Sequence, residues 1–139
     1  MIRGALAGVA AAAAWAAAEP AAARILRTPA GYSDVRLLGA LLTRDGARWR
    51  EAGLAAHLVN GAVFGALFET AGGRGWKRGV VAAKLENLAL WPGMAAIDRL
   101  HPDRRSGAWP PLLTSPRVFV YESTVHALFG AVLGTLVRD

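Results

Sequence analysis

Apolar residues run along the chain in four windows, each long enough to cross a bilayer. A transmembrane helix needs about 20 predominantly apolar residues, and the windows cover 4–23, 52–71, 79–97 and 118–137. The connections between them collect glycine, proline and charged residues, as turns at a membrane surface do. The pattern predicts an all-α integral membrane protein, a four-transmembrane-helix bundle that forms a single transmembrane domain over residues 1–139.

The first loop contains a shorter amphipathic segment. Ser33 is a typical helix-capping residue, and Val35, Leu38, Leu41 and Leu42 after it fall on one helical face. The segment is too short to span a bilayer, so we expect a short interfacial helix that lies in the membrane plane or docks on the bundle. Ser115, followed by proline, similarly predicts the start of the last span.

An alternative for the first window is a secretory signal. Met1-Ile2-Arg3 precedes an alanine-rich stretch, and Ala16-Ala17-Ala18 has the form of a cleavage site. The internal repeat favours a retained helix, because it gives the first window a partner later in the chain.

The sequence repeats itself in its two halves. The pattern H-x-x-x-G-A-V-x-G-x-L begins at His57 and again at His126, 69 residues later, and Pro20 returns as Pro92. This predicts a tandem two-helix repeat with parallel copies, whereas chance similarity of alanine- and glycine-rich helices is the alternative. The predicted units are repeat 1, about 1–71, and repeat 2, about 76–139.

Small residues at a spacing of four predict close helix packing. Glycines so spaced share a helix face and let two backbones approach in a membrane, where no hydrophobic force drives helices together. The predicted pairs are Gly4 with Gly8, Gly61 with Gly65, and Gly130 with Gly134.

Charge is concentrated outside the windows and predicts an orientation. The chain is 54% apolar yet has 16 Lys and Arg against 10 Asp and Glu. Most arginines lie in the first and third loops, which we therefore expect to be cytoplasmic in a multi-pass plasma membrane protein. These loops would face anionic lipid headgroups rather than nucleic acid. The expected headgroup contacts are Arg36, Arg44, Arg104 and Arg105. Trp109 is expected at a membrane border.

The amino-acid usage points to a source. Arginine, alanine and glycine dominate and only two lysines occur, which is typical of chains from high-GC bacteria. A bacterial inner membrane is therefore the expected location. There is no cysteine, which excludes disulfides and thiolate metal ligands.

Several polar residues fall inside the predicted spans, where each ionisable group costs several kcal/mol on the insertion scale. His57 and His126 occupy equivalent positions in the two copies. Glu122 lies four residues before His126 and shares its helical face. The candidate intramembrane site comprises His57, His126, Glu122, Glu86, Asn87, Asn60 and Glu19.

Four interpretations of this site remain open. In the first, the polar residues are chiefly structural and hydrogen-bond across helices. In the second, His57, His126, Glu122 and Glu86 form the site of a proton- or metal-ion-coupled small transporter or channel. In the third, the two histidines ligate a haem. In the last, the chain is a lipid-handling enzyme, although the sequence contains no catalytic motif that supports this interpretation.

The sequence accordingly predicts a small polytopic membrane protein whose intramembrane polar residues are chiefly structural, with no assigned catalytic residue. No cofactor is predicted, although a haem or a divalent metal at His57 and His126 is left open. A homo-oligomer in the bilayer is also compatible with the sequence.

Overall fold

The structure, a computed structural model, describes residues 1–138, and this part of the chain is helical without any strand. Its α-helices are α1 (Ile2–Leu26), α2 (Asp34–Leu42), α3 (Trp49–Thr70), α4 (Trp76–Leu90), α5 (Met94–Leu100), α6 (Pro102–Arg105) and α7 (Pro116–Leu136). A 3-10 turn at Trp91–Gly93 joins α4 to α5. The all-α prediction is confirmed.

Three helices, α1, α3 and α7, are long and apolar enough to cross a membrane. They match the first, second and fourth predicted windows, and by composition they fit a membrane protein. The third window, 79–97, is not one uninterrupted helix, because α4 ends at Leu90 and the helical path continues through the turn into α5. Pro92 in that turn has no backbone N–H to donate, which breaks the α-helical hydrogen-bond ladder.

Glycines bring α1 and α3 into backbone contact. Gly4 and Gly8 of α1 face Gly65 and Gly61 of α3, so closely that a Cβ at Gly8 would collide with the Gly61 carbonyl oxygen. The close packing predicted from the glycine spacing is therefore present, and the Gly4/Gly8 pair packs against the Gly61/Gly65 pair.

The same arrangement joins α4 to α7. Gly130 and Gly134 of α7 lie against the backbone of Gly79 and Gly75 at the start of α4, where an added Cβ would again meet a carbonyl oxygen. The sequence reading missed the contribution of Gly75 and Gly79. Both glycine contacts lie toward the side of the bundle where α3 connects to α4.

The helix predicted in the first loop is α2. Ser33 caps it by accepting a hydrogen bond from the Arg36 backbone N–H at 3.1 Å. Gly39 of α2 and Gly53 of α3 allow these two helices to touch through their backbones. The helix thus docks on α3, beside the end of α1.

The long helices form a row with one open side. α1 packs on both α3 and α7, and α7 packs on α4. Among the described residues α3 and α4, the two ends of the row, make no extended contact. They are joined by the short connection at 71–75, and Asn60 of α3 approaches Glu86 of α4 across the cleft between them.

Ion pairs tie together the loops on the opposite, arginine-rich side. Arg36 donates two hydrogen bonds to Asp103, at 2.6 and 2.8 Å, and Arg104 donates one to Asp98 at 2.7 Å. These bonds from Arg36 hold the pKa of Asp103 below its usual range. Trp109 is buried beneath the same loops, at 2% exposure, rather than standing at a membrane border as the sequence suggested.

We predict that Gly8→Ala destabilises the protein even though alanine favours helix. Its Cβ would collide with the Gly61 carbonyl oxygen, which belongs to a helix backbone and cannot move aside alone. The expected loss is about 1–3 kcal/mol, visible as a lower midpoint of thermal unfolding in detergent. Gly46→Ala is the matched control, since its Cβ would enter open space. Equal midpoints for the two variants would contradict the packing described here.

We predict that Asp103→Asn lowers stability by about 1–3 kcal/mol at neutral pH, the usual worth of a hydrogen bond to a charged group. The control is Asp45→Asn, at an exposed carboxylate 3.6 Å from Arg48. Because the folded-state pKa of Asp103 is depressed, its contribution is present above the unfolded pKa, near ~3.9, and is lost as pH falls through the folded pKa. The gap between wild type and Asp103→Asn should therefore close in acid; a gap independent of pH would contradict the pairing.

Candidate functional site

His57 and His126 contact the same tryptophan. The ring centroid of Trp15 in α1 is 4.9 Å from that of His57 and 4.5 Å from that of His126, both with edge-on geometry. All three side chains are buried. His57 Nε2 donates to the Ala12 carbonyl oxygen at 3.2 Å, and His126 Nδ1 donates to that of Glu122 at 2.7 Å. The two imidazole rings therefore share one indole as their common neighbour.

This geometry does not fit a haem ligated by both histidines. Trp15 packs against both rings, and the adjoining cavity measures about 160 Å³, too small for the macrocycle. In the described part of the chain no group of three or more histidine, aspartate or glutamate side chains is arranged to hold a metal ion.

Two carboxylates approach His126 from different helices. Glu122 Oε2 lies 3.7 Å from His126 Nδ1, within α7, and Glu86 Oε2 of α4 lies 4.0 Å from His126 Nε2. The other oxygen of Glu122 accepts a hydrogen bond from the Tyr32 hydroxyl. The predicted site residues on α4 and α7 therefore meet around one imidazole.

The two predicted asparagines have different environments. Asn87 is buried, and its Nδ2 donates to the Ser123 hydroxyl of α7 at 3.2 Å. Asn60 is exposed on α3 and lies within hydrogen-bonding reach of the Glu86 carboxylate across the cleft. Lys84, one turn before Asn87, donates to the Ser123 carbonyl oxygen at 3.3 Å. Asn87 thus links α4 to α7, whereas Asn60 faces the opening.

Glu19 joins the site through a residue that the sequence reading had not included. Its Oε1 accepts a hydrogen bond from the Asp34 backbone N–H at 2.7 Å, at the first turn of α2. The Asp34 Oδ2 atom is buried without a hydrogen-bond partner. Burial, and then the nearby Glu122 and Glu19, raise the pKa of the Asp34 carboxyl well above its usual range. α2 therefore carries an acid into the interior.

These groups surround a polar cavity of about 160 Å³ at the centre of the helix row. Acids from three helices line it, together with both histidines and the Trp15 indole, while its lining contains no lysine or arginine. Among the described residues Trp15 Nε1 makes no hydrogen bond of normal geometry, but it lies close to the carboxyl groups of Asp34 and Glu19. Such a cavity has room for a few water molecules or a small ligand, and polar groups left unpaired by the protein are the usual reason for one to bind.

A wider groove lies between this cavity and the arginine-rich side. It measures about 1030 Å³ and extends from Glu19 and Tyr32, at its base, to Arg36, Arg50 and the surrounding loops. Because the Tyr32 hydroxyl reaches Glu122, the base of the groove adjoins the groups that line the cavity.

The predicted headgroup arginines divide into two kinds. Arg36 and Arg104 are committed to Asp103 and Asp98 within the protein. Arg44 and Arg105 are exposed on the same side.

Sequence reasoning missed Trp15, Tyr32 and Asp34. Trp15 could have been noticed because it is a single large aromatic residue in an alanine-rich helix. Ser33 and Asp34 indicated only the start of a helix, because no local pattern shows that α2 folds back over the end of α1.

Comparisons of the chain with protein-family models, with characterised proteins and with solved structures find no match, so its function must be argued from the site itself.

Proposed function

We propose that this chain is a small multi-pass transporter of a bacterial inner membrane, in which the central cavity carries protons across the membrane and, when a small ligand is present, couples their movement to it. One observation carries the proposal. The cavity gathers Asp34, Glu86 and Glu122 with His57 and His126, and no lysine or arginine lines it. Ionised carboxylates without counter-ions are costly in a membrane, and the simplest neutralising partner is a proton.

The arrangement supplies an ordered route for that proton. The groove opens toward the arginine-rich side and ends at Glu19 and Tyr32. Tyr32 is bonded to Glu122, which lies 3.7 Å from His126, and His126 lies 4.0 Å from Glu86. Hydroxyl, carboxyl and imidazole groups can each take up and release a proton, and single waters in the cavity would bridge the longer gaps.

Aqueous access in this conformation comes from the arginine-rich side. Toward the 71–75 connection the glycine contacts bring helix backbones together, and the hollow of about 390 Å³ on that side is lined mainly by apolar residues. A coupled carrier needs such asymmetry, because its site must face one side at a time. The glycine-packed half would have to loosen for release on the other side.

We further propose that the fold is a tandem duplication with four membrane crossings. Gly4 and Gly8 return as Gly75 and Gly79, and the histidine helices α3 and α7 each pack on the glycine helix of their own copy. The fourth crossing would consist of α4, the 3-10 turn and α5 in sequence. On this proposal the first and third loops are cytoplasmic, α2 lies at that interface, and exposed Arg44 and Arg105 contact anionic headgroups.

A structural role for the polar residues is the competing proposal. Asn87 bound to Ser123, and each histidine bound to a backbone carbonyl, are contacts that fix helix positions. Hydrogen bonds of this kind between membrane helices contribute about 1 kcal/mol each. This role accounts for those bonds, but it gives no reason for a cavity lined by three acids and by no lysine or arginine.

Proton movement into proteoliposomes tests the two proposals against each other. With an imposed pH gradient and a clamped membrane potential, wild-type protein should acidify an internal dye faster than empty vesicles. Glu122→Gln should reduce that rate at least about tenfold, the scale of removing a functional proton-transfer group. Glu51→Gln, at an exposed carboxyl at the start of α3, should leave it unchanged. Wild-type flux equal to that of empty vesicles, or a Glu122→Gln variant that only melts earlier, would favour the structural role.

A further inference from the structure

The cavity has a second opening, toward the lipid. α3 and α4 make no extended contact in the described chain, and Asn60 lines the cavity while being exposed in the cleft between them. Asn60 lies near the middle of α3, about 15 Å from either end at the helical rise per residue. In a bilayer that position is within the hydrocarbon, so the opening faces acyl chains rather than water.

The rim of this opening is apolar. Leu90 of α4 lines the cavity and is 61% exposed, and Val63, one turn after Asn60, and Leu85, next to Glu86, are 54% and 61% exposed. Inside the rim the surface turns polar within one side chain, at Asn60 and Glu86. A molecule that fits both surfaces has a polar head for the cavity and an apolar tail for the cleft.

The acids that line the cavity favour a positively charged head. Asp34 Oδ2 is a buried acceptor without a donor, and Glu86 and Glu122 bring further acceptor oxygens. The nearest cation, Lys84, is held by the Ser123 carbonyl and does not line the cavity. Trp15, Trp91 and Phe129 add aromatic surfaces, which attract cations through their π-faces.

The size of the cavity limits the head further. The volume of about 160 Å³ is close to the ~150 Å³ of a cavity known to accept one benzene molecule. A protonated primary amine or a methylated ammonium group fits that space, whereas a sugar headgroup is too large and a phosphodiester carries a negative charge that the acids of the lining would repel.

We infer that the ligand is an amphipathic amine, a small ammonium head on an alkyl tail, which enters the cavity from the membrane through the cleft between α3 and α4. This inference rests on the proposed function and names the substrate class of its site. The ammonium head and the proton then compete for the same carboxylates, and release of one accompanies uptake of the other.

Binding to the purified protein in nanodiscs tests the ligand class, with octylamine, octanol and octanoate as probes of equal tail length. Octylamine should quench or shift tryptophan fluorescence saturably at concentrations where octanol and octanoate do not. Its affinity should fall at least about tenfold, which is about 1.4 kcal/mol, in Glu86→Gln and in Glu122→Gln. Glu86 is only partly buried, so Glu86→Gln keeps the test valid if Glu122→Gln fails to fold. Glu51→Gln should bind as wild type. If octanol bound as tightly as octylamine, the site would recognise only the alkyl tail, and this result would overturn the inference.

The absence of cysteine allows a direct test of the lateral route. Asn60→Cys introduces a single thiol at the opening, and its alkylation by a bulky maleimide should abolish octylamine binding. Leu67→Cys, also exposed on α3 but outside the cavity lining, should bind octylamine equally before and after alkylation. Protection of Asn60→Cys in a particle of twice the chain mass would show that a second copy covers the opening, and would overturn entry from the lipid.

The two proposals fail in different ways. Saturable octylamine binding without proton flux, with or without the amine, would leave the ligand site standing and overturn proton coupling. Proton flux with no octylamine binding would support the proposed function and overturn the inference that the ligand is an amphipathic amine.

Discussion

Backbone contact between glycines decides how the helices are arranged, and the interior follows from it. The contacts between α1 and α3 and between α4 and α7 lie on one side of the bundle, around Gly4, Gly8, Gly75 and Gly79. Helices held so closely at one side must accommodate their larger side chains on the other. Trp15, among alanines in α1, lies in that wider half. The cavity is therefore a consequence of where small residues are placed along each helix, and its polar lining occupies space that the glycines leave open.

The wider half then presents an electrostatic problem. Acids reach it from α1, α2, α4 and α7, and the basic side chains nearest in sequence are used elsewhere: Lys84 binds a carbonyl oxygen and Arg36 binds Asp103. A buried acid without a cation is stable only when it is hydrogen-bonded or protonated, or when a bound cation joins it. The Tyr32 hydroxyl donates a hydrogen bond to one oxygen of Glu122, whereas Asp34 Oδ2 makes no hydrogen bond with the described residues. A bound proton and a bound ammonium group would each supply the positive charge that these acids lack.

Much of the scaffold could be predicted from the sequence because its determinants are periodic. Length and apolarity identified α1, α3 and α7, and the spacing of glycines identified the close contacts. The equivalence of His57 and His126 placed both rings in the interior. The interrupted path at Trp91–Gly93 was less accessible, since Pro92 within an apolar window is compatible with either a kinked span or a break.

The site was only half predictable, because it depends on how distant segments meet. Glu122 and Glu86 stood out as acids inside apolar windows. Asp34 did not, since it lies in a loop of the sequence and becomes interior only when α2 docks on α3 through Gly39 and Gly53. The groove at Tyr32 depends similarly on the pairing of Arg36 with Asp103, 67 residues apart.

If acids in the cavity hold protons when no cation is bound, infrared spectroscopy of the purified protein at neutral pH will detect those protons. We predict a carbonyl stretching band of a protonated carboxylic acid that shifts in deuterium oxide. The band should weaken in Asp34→Asn and on addition of octylamine, but not in Asp45→Asn. A spectrum of ionised carboxylates only, unchanged by Asp34→Asn, would show that the cavity holds no such proton.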